Sequence, residues 1–460
     1  MVPPRPPDRG RPGGLVGPGS EEEQAEVARL VTRLVFGGAV ALSGLVAAAC
    51  GPDGGVRAVF TAESGAMAVL SVTVSDRCPP LPPQRVAAWR ARVDDTPGHE
   101  VLLFPGTGLA RYDSLIGPLP AGRHTVELTA SDLWKPVACV AVQRLEVTVH
   151  RAGTLKHEVY RHAPVLELRA DTIGEQTDLP LYAYAERDVA AAGSTWRYTV
   201  VFSNEDGGTP TRALLARWGR TTDIEQVYEV SVSANRMTRE VFQGPDHVTR
   251  AFAGRRQGEA PVLLVATLNN MVIDRGRGLA AVRPVPALVD LRQATRESTM
   301  DARPWVYRLM EHERAAEGRI AADAPMDEQW PRVAPDLLSH VYFEARLRLT
   351  RAVAVAWVRD RAGRRFWSHY GRLPLAIDRD GWVRSAVAVG ADPLTSVAEV
   401  GWACLAAPDA GPRGSCEIEA SRAFVLTAAY RPGANFVVPG RFVLKAGEER
   451  GLKGVPAGGL

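Results

Sequence analysis

Lysine is scarce in this chain of 460 residues: it stands only at positions 135, 156, 445 and 453, against a total of 55 basic residues. Asparagine is scarcer than the length suggests, at 204, 235, 269, 270 and 435. Both shortages fit a GC-rich coding sequence, so arginine clusters such as Arg364-Arg365 read first as solvated surface. Charge of one sign is also missing. A formal net charge of +3 is close to neutral for this size and excludes the basic footprint of a nucleic-acid binder. No uncharged apolar run is long enough for a transmembrane helix, which needs about 20 residues. The longest runs from Leu34 to Ala49 and is loosened by Gly37, Gly38 and Gly44. Catalytic strings are absent too: there is no Gly-x-Ser-x-Gly elbow and no phosphate-binding loop.

What is present begins with that short run. Arg29 and Arg33 precede it, and Ala47-Ala48-Ala49 lead to Cys50. A positive flank, a short apolar segment and a small-residue cleavage site make an export signal. The stretch resembles the bacterial lipoprotein signal, which implies that Cys50 is lipidated and becomes the mature N-terminus. Ala47 stands where that pattern prefers leucine, and Ala47-Ala48-Ala49 also fits ordinary secretory cleavage. The resemblance implies a protein anchored to the bilayer in the cell envelope, periplasmic or at the outer surface. Residues 1–30 are expected to be a disordered leader or the result of a start assigned too early, 31–49 the signal and 50–55 a tether.

Five cysteines are an odd number for an exported chain. With Cys50 carrying lipid, the remaining four allow three pairings. Proximity favours Cys78 with Cys139 and Cys404 with Cys416.

Hydrophobic alternation, with turn residues between short runs, predicts a mainly β fold of tandem β-sandwich-like domains. The first domain spans 56–152. Its hairpin at Leu119-Pro-Ala-Gly and its Cys78…Trp89…Cys139 order resemble an immunoglobulin-like or fibronectin-like sandwich. A central β-rich domain with polar loops is expected over 156–320. Arg212–Trp218 reads as one of its strands, and a helix is expected near 305–319, with Pro304 in its first turn. A C-terminal β domain is expected over 334–446, either separate from the central one or continuous with it, followed by a loose tail over 447–460.

Three strings come close to known motifs. His157-Glu158-Val-Tyr-Arg-His162 misses the zinc spacing by one residue and reads as strand. Gly276-Arg-Gly-Leu-Ala-Ala281 lacks a βαβ frame. Asn204-Glu-Asp-Gly and Asp378-Arg-Asp-Gly offer oxygens that calcium could use but lack the rest of a calcium loop. No metal site and no cofactor is expected, calcium being the one weak candidate.

The central loops gather Glu205, Asp206, Asp223, Glu225, Glu297 and Asp301 near Arg217 and Arg220. Ligand binding is expected at Asn204, Asp206, Arg217, Trp218, Arg220, Asp223, Asn269 and Asn270, with Trp218 and Tyr228 as aromatic platforms. Asp206, Asp223 and Asp301 are the candidates for catalysis, since two carboxylates across a cleft can hydrolyse a glycosidic bond. The competing reading is that these groups cap turns and form ion pairs. The expected function is therefore a cell-envelope lipoprotein whose β domains bind a glycan or another envelope component. The alternatives are an exported polysaccharide hydrolase and a structural adhesin-like stalk.

Overall fold

The computed structural model describes residues 49–50, 55–80, 86–94, 96–134, 137–173, 178–191, 193–205, 209–322, 324, 333–408 and 413–453. The segment expected to be an export signal, apart from Ala49 and Cys50, lies outside the described residues, as does Asp206. The protein is mainly β, built from successive pairs of sheets.

The first pair is made from β1 (Ala49–Cys50), β2 (Val56–Ala62), β3 (Ala66–Asp76), β4 (Ala87–Val93), β5 (Thr96–Leu103), β6 (Arg111–Leu119), β7 (Gly122–Ala130) and β8 (Val140–His150). One sheet has the order β1-β2-β7-β4-β5 and the other β6-β3-β8. Along β2 the residues alternate between core and surface, because successive side chains on a strand point to opposite faces. Cys78 and Cys139 are bonded, with Cα atoms 5.0 Å apart. They flank β3 and β8, which are neighbours in one sheet, with Asp76 opposite Val140. The bridge therefore closes the end of a sheet. It does not cross the core as the Cys…Trp…Cys resemblance implied.

A short helix, α1 (Leu155–Arg161), leads into the second unit; its first turn is capped by the Thr154 side chain accepting from the His157 N–H. The strand expected around His157 is thus a helix. The second unit holds β9 (Val165–Leu168), β10 (Pro180–Ala190), β11 (Gly193–Phe202), β12 (Asp223–Ser233), β13 (Arg236–Gln243), β14 (Thr249–Ala251), β15 (Arg256–Gln257), β16 (Ala260–Val265), β17 (Val272–Ile273), β18 (Ala280–Val282) and β19 (Pro286–Leu288). Six of these form the sheet β14-β13-β12-β11-β10-β19; β15-β16-β9-β18 form the other, with β17 beside β16. The segment Arg212–Trp218 lies in a helix, α2 (Thr211–Trp218), not in a strand. Ala, Leu and Arg are strong helix formers, Pro210 precedes the helix, and Gly219 ends it with a left-handed backbone at φ 60°. A Cβ on Gly219 would also come within 2.7 Å of Arg384 Cγ.

Two further helices, α3 (Ser298–Asp301) and α4 (Pro304–Ala316), close this unit; α4 is the helix expected after Pro304. The last unit contains β20 (His340–Thr350), β21 (Ala352–Asp360), β22 (Arg365–Trp367), β23 (Gly381–Ala388), the short helix α5 (Pro393–Ser396), β24 (Val397–Ala406), β25 (Ser415–Leu426), β26 (Pro432–Lys445) and β27 (Glu449–Lys453). Its sheets are β23-β20-β25-β26 and β22-β21-β24-β27. The stretch from Gly447, expected to be loose, supplies β27, which pairs with β24 from Glu399 to Ala403. Cys404 on β24 is bonded to Cys416 on β25, so this disulfide does join two sheets. Beside it lies Trp402, fully buried, its indole N–H donating to Ser421 Oγ at 2.7 Å. The cross-core bridge with a buried tryptophan belongs to the last sandwich.

The first two units share one continuous hydrophobic core, which reaches Tyr342 and Phe424; the last unit has its own. Arg283 pins the shared part. It is fully buried and donates to the carbonyls of Gly117, Tyr160 and Ala163 at 2.6, 3.1 and 3.3 Å. The last unit is joined by ions. Arg384 on β23 is fully buried and contacts Asp301 at 2.8 Å and Glu344 at 2.6 Å. Its NH1 donates to the Tyr307 hydroxyl at 2.6 Å, and Arg422 holds the other oxygen of Glu344. Burial alone would raise the Glu344 pKa, but Arg384 and Arg422 outweigh it and hold the carboxyl at about 2.

Removing one member of such a cluster strands the others. Arg384→Met should cost about 3–5 kcal/mol in urea unfolding at pH 7; an unchanged midpoint and slope would show that the cluster carries no stability. Cys404→Ser with Cys416→Ser should cost about 3 kcal/mol, the value expected for opening so short a loop.

Candidate functional site

The structure sorts the described sequence-predicted residues into three clusters, and an open cleft lies apart from them. In the first cluster Asp223 opens β12 and Asn270 closes the Thr267–Asn270 turn. Asn270 Nδ2 donates to Asp223 Oδ2 at 3.0 Å and to the Asn204 carbonyl at 2.9 Å. Asn204 Nδ2 donates to Glu317 at 2.8 Å, and Arg314 donates to the Glu205 carbonyl at 2.9 Å. Arg220 donates to Glu297 at 3.3 Å and to the Thr222 carbonyl. Asn204 and Asn270 are fully buried; Arg220, Asp223 and Glu297 are nearly so. Asn269 is half-buried beside them.

Asp223 and Glu225 lie two residues apart on one face of β12, and their side chains hydrogen-bond to each other. Burial, then the neighbouring Glu225, pushes Asp223 well above the usual carboxylate range against the pull of Arg220. Burial also raises Glu225, with Arg296 and Arg220 opposing it.

Asp301 belongs to the second cluster, with Arg384, Arg422 and Tyr307, whose hydroxyl donates to Asp301 Oδ1 at 2.7 Å. Asp301 and Asp223 share no direct partner among the described contacts. Arg217 and Trp218 form the third group. The Arg217 guanidinium lies 4.9 Å from the Trp218 ring centroid and Arg379 4.4 Å from it, and Arg217 pairs with Asp378 at 2.8 Å. Tyr228 is buried and bonded to Glu240, so it offers no open ring. Asp380 accepts the Leu349 N–H at 2.7 Å, a turn-capping role. Among the described residues no group of three or more His, Cys, Asp or Glu could hold a metal ion. His157 Nε2 lies 3.0 Å from the Gly65 carbonyl, and His162 Nε2 accepts from Arg161 at 3.0 Å.

The cleft lies between the first two units and has a volume of about 520 Å³. Four strands at sheet edges border it: β5, β6, β18 and β19. The start of α1, the start of β10 and the turn into α4 complete the walls. Its size falls in the range of small-ligand sites, about 300–1,000 Å³. None of the residues expected from the sequence to bind or react lines it. The lining comes from five separated stretches between Glu100 and Trp305, which no local motif connects. A retrospective signal exists in Lys156, one of four lysines in an arginine-biased chain, and in the Pro-Val-Pro of 284–286.

The sequence matches no protein-family profile, and no curated protein matches it. The fold and the cleft define a β-rich chain with two disulfides, the mark of an oxidising compartment. No helix among the described residues is long and apolar enough to cross a membrane.

Titration should separate the buried groups. Burial drives His99 and His340 down to about 4 from 6.5. A histidine kept neutral in the fold takes up protons on unfolding, so its contribution is complete above about pH 6.5 and is lost toward pH 4. Unfolding free energy should fall by on the order of 1 kcal/mol per pH unit per histidine in that window, and His99→Gln should flatten the slope. Asp223 carries the opposite sign, because its raised pKa costs stability as pH rises above its unfolded value. Asp223→Asn should therefore leave stability at pH 8 equal or higher, whereas Glu344→Gln should lower it.

Proposed function

We propose that the chain is an exported, lipid-anchored cell-envelope protein whose extracytoplasmic β domains bind a glycan or another envelope component. The lipobox-like Cys50 supplies the anchor and the β-sandwiches, the first of them immunoglobulin-like, display the binding face. The observation that carries the binding role is the cleft: a concavity of ligand size, open between two units that share a core. Export is supported by the paired cysteines, which use four of the five in the chain and leave Cys50 over. The hydrolase alternative has less behind it. Asp223 is buried and Asp301 half-buried, in separate clusters, and both are occupied by protein partners.

Cells expressing the full chain and fed labelled palmitate should show covalent label in the protein, and Cys50→Ala should lose both label and membrane association. An unlabelled, membrane-free wild type would refute the anchor. Envelope fractions separated into glycan and lipid should retain the full chain, and Ala287→Trp, which fills the cleft from β19, should weaken that retention by more than about tenfold. Retention unchanged by Ala287→Trp would remove the cleft as the binding site.

A further inference from the structure

We infer that the cleft takes an amphipathic organic anion, a molecule with an aliphatic body and one acidic head. The inference rests on the cleft being the binding site and names the chemistry of its ligand. Its walls carry Leu109, Leu155, Leu181, Val285 and Leu288. Leu155 and Leu288 remain 43% and 48% exposed, an open apolar surface at the mouth of a concave site. Aliphatic walls reward an aliphatic guest and offer a sugar little hydrogen bonding.

The aromatic rings that could stack on a sugar are already engaged. Trp305 lies stacked on Phe104 with centroids 5.7 Å apart, and the Arg303 guanidinium sits 4.2 Å from the Tyr182 centroid. The cleft's carboxylates are matched as well. Glu100 pairs with Arg90 at 2.8 Å; Asp113 accepts from Ser71 Oγ at 2.5 Å and pairs with Arg111 at 3.2 Å.

The cations of the opposite wall are not matched. Lys156 is exposed and makes no ion pair among the described residues. Arg303 donates to the Thr299 carbonyl at 2.6 Å and likewise pairs with no carboxylate there. Arg283 is spent on backbone carbonyls. The central-domain wall therefore presents positive charge that pairs with no carboxylate among the described residues, beside an aliphatic surface. A long-chain carboxylate or an acyl phosphate satisfies both features at once, its head toward Lys156 and Arg303 and its chain along the leucines.

The test uses the purified full chain and the fluorescent anion 11-(dansylamino)undecanoate. Saturable binding is expected, displaced by palmitate and requiring about tenfold more hexadecyltrimethylammonium, whose head has the opposite charge. Lys156→Glu should weaken probe binding by about fivefold. Leu288→Asp, at a half-exposed position, should weaken it by a similar factor, with an unchanged unfolding midpoint as the control for folding. Equal competition by the ammonium, or no response to Lys156→Glu, would overturn the anionic head. Displacement by chitotetraose but not palmitate would keep the site and overturn the ligand class. Absence of saturable probe binding would overturn the class as well, while retention of envelope glycan that Ala287→Trp abolishes would leave the cleft standing as the site.

Discussion

A buried arginine with two carboxylates is the constraint on which the arrangement of the last two units depends. Arg384 on β23 and Glu344 on β20 stand opposite each other in one sheet, and Asp301 comes from the short helix before α4, so the cluster forms only where that sheet meets the helix. Burying charge is expensive, and attraction recovers the cost only with close geometry and satisfied hydrogen bonds. Here Tyr307, Thr295 and Arg422 supply them. The packing of α2 against the same strand follows: Ser385 Oγ donates to the Ala216 carbonyl at 2.6 Å, and Gly219 leaves room for the Arg384 stem. Shape, charge and backbone conformation all serve one guanidinium.

The polar loops acquire a different meaning in that setting. Asn204, Asp223 and Asn270 converge, as their residue types suggested, but they converge inward onto one another and onto α4. Asparagine satisfies donors and acceptors without adding charge, which suits a buried junction of three loops. Most of their hydrogen-bonding capacity is used within the protein. The cleft shows the converse: exposed leucines on a wall with unmatched cations, and little internal bonding to occupy them.

Alternation made the strands legible, as in β2, where every second side chain meets the core; β20 alternates only from Ala345 on, its first six residues all being buried. Pro304 likewise marked the start of α4. Residues 212–218 misled because Arg-Ala-Leu-Leu-Ala-Arg-Trp is too short to separate a period of 2 from one of 3.6, and a helix six-eighths buried loses its polar stripe. The cysteine pairing followed from sequence proximity, but which sheet each bridge joins did not. That depends on strand order, and strand order is a property of the whole sheet. Residue chemistry drew attention to carboxylates in loops, yet the open concavity is formed by sheet edges and leucines, which carry no signature until distant stretches are brought together.

β27 carries a consequence of its own position. It is the final strand and covers the flank of β24 along Glu399–Ala403. A chain clipped by a protease or by an early stop between Lys445 and Glu449 leaves that row of amides and carbonyls bare, a template for any extended segment nearby. The terminal sandwich is therefore incomplete until β27 has paired, and a molecule still lacking it carries an adhesive flank.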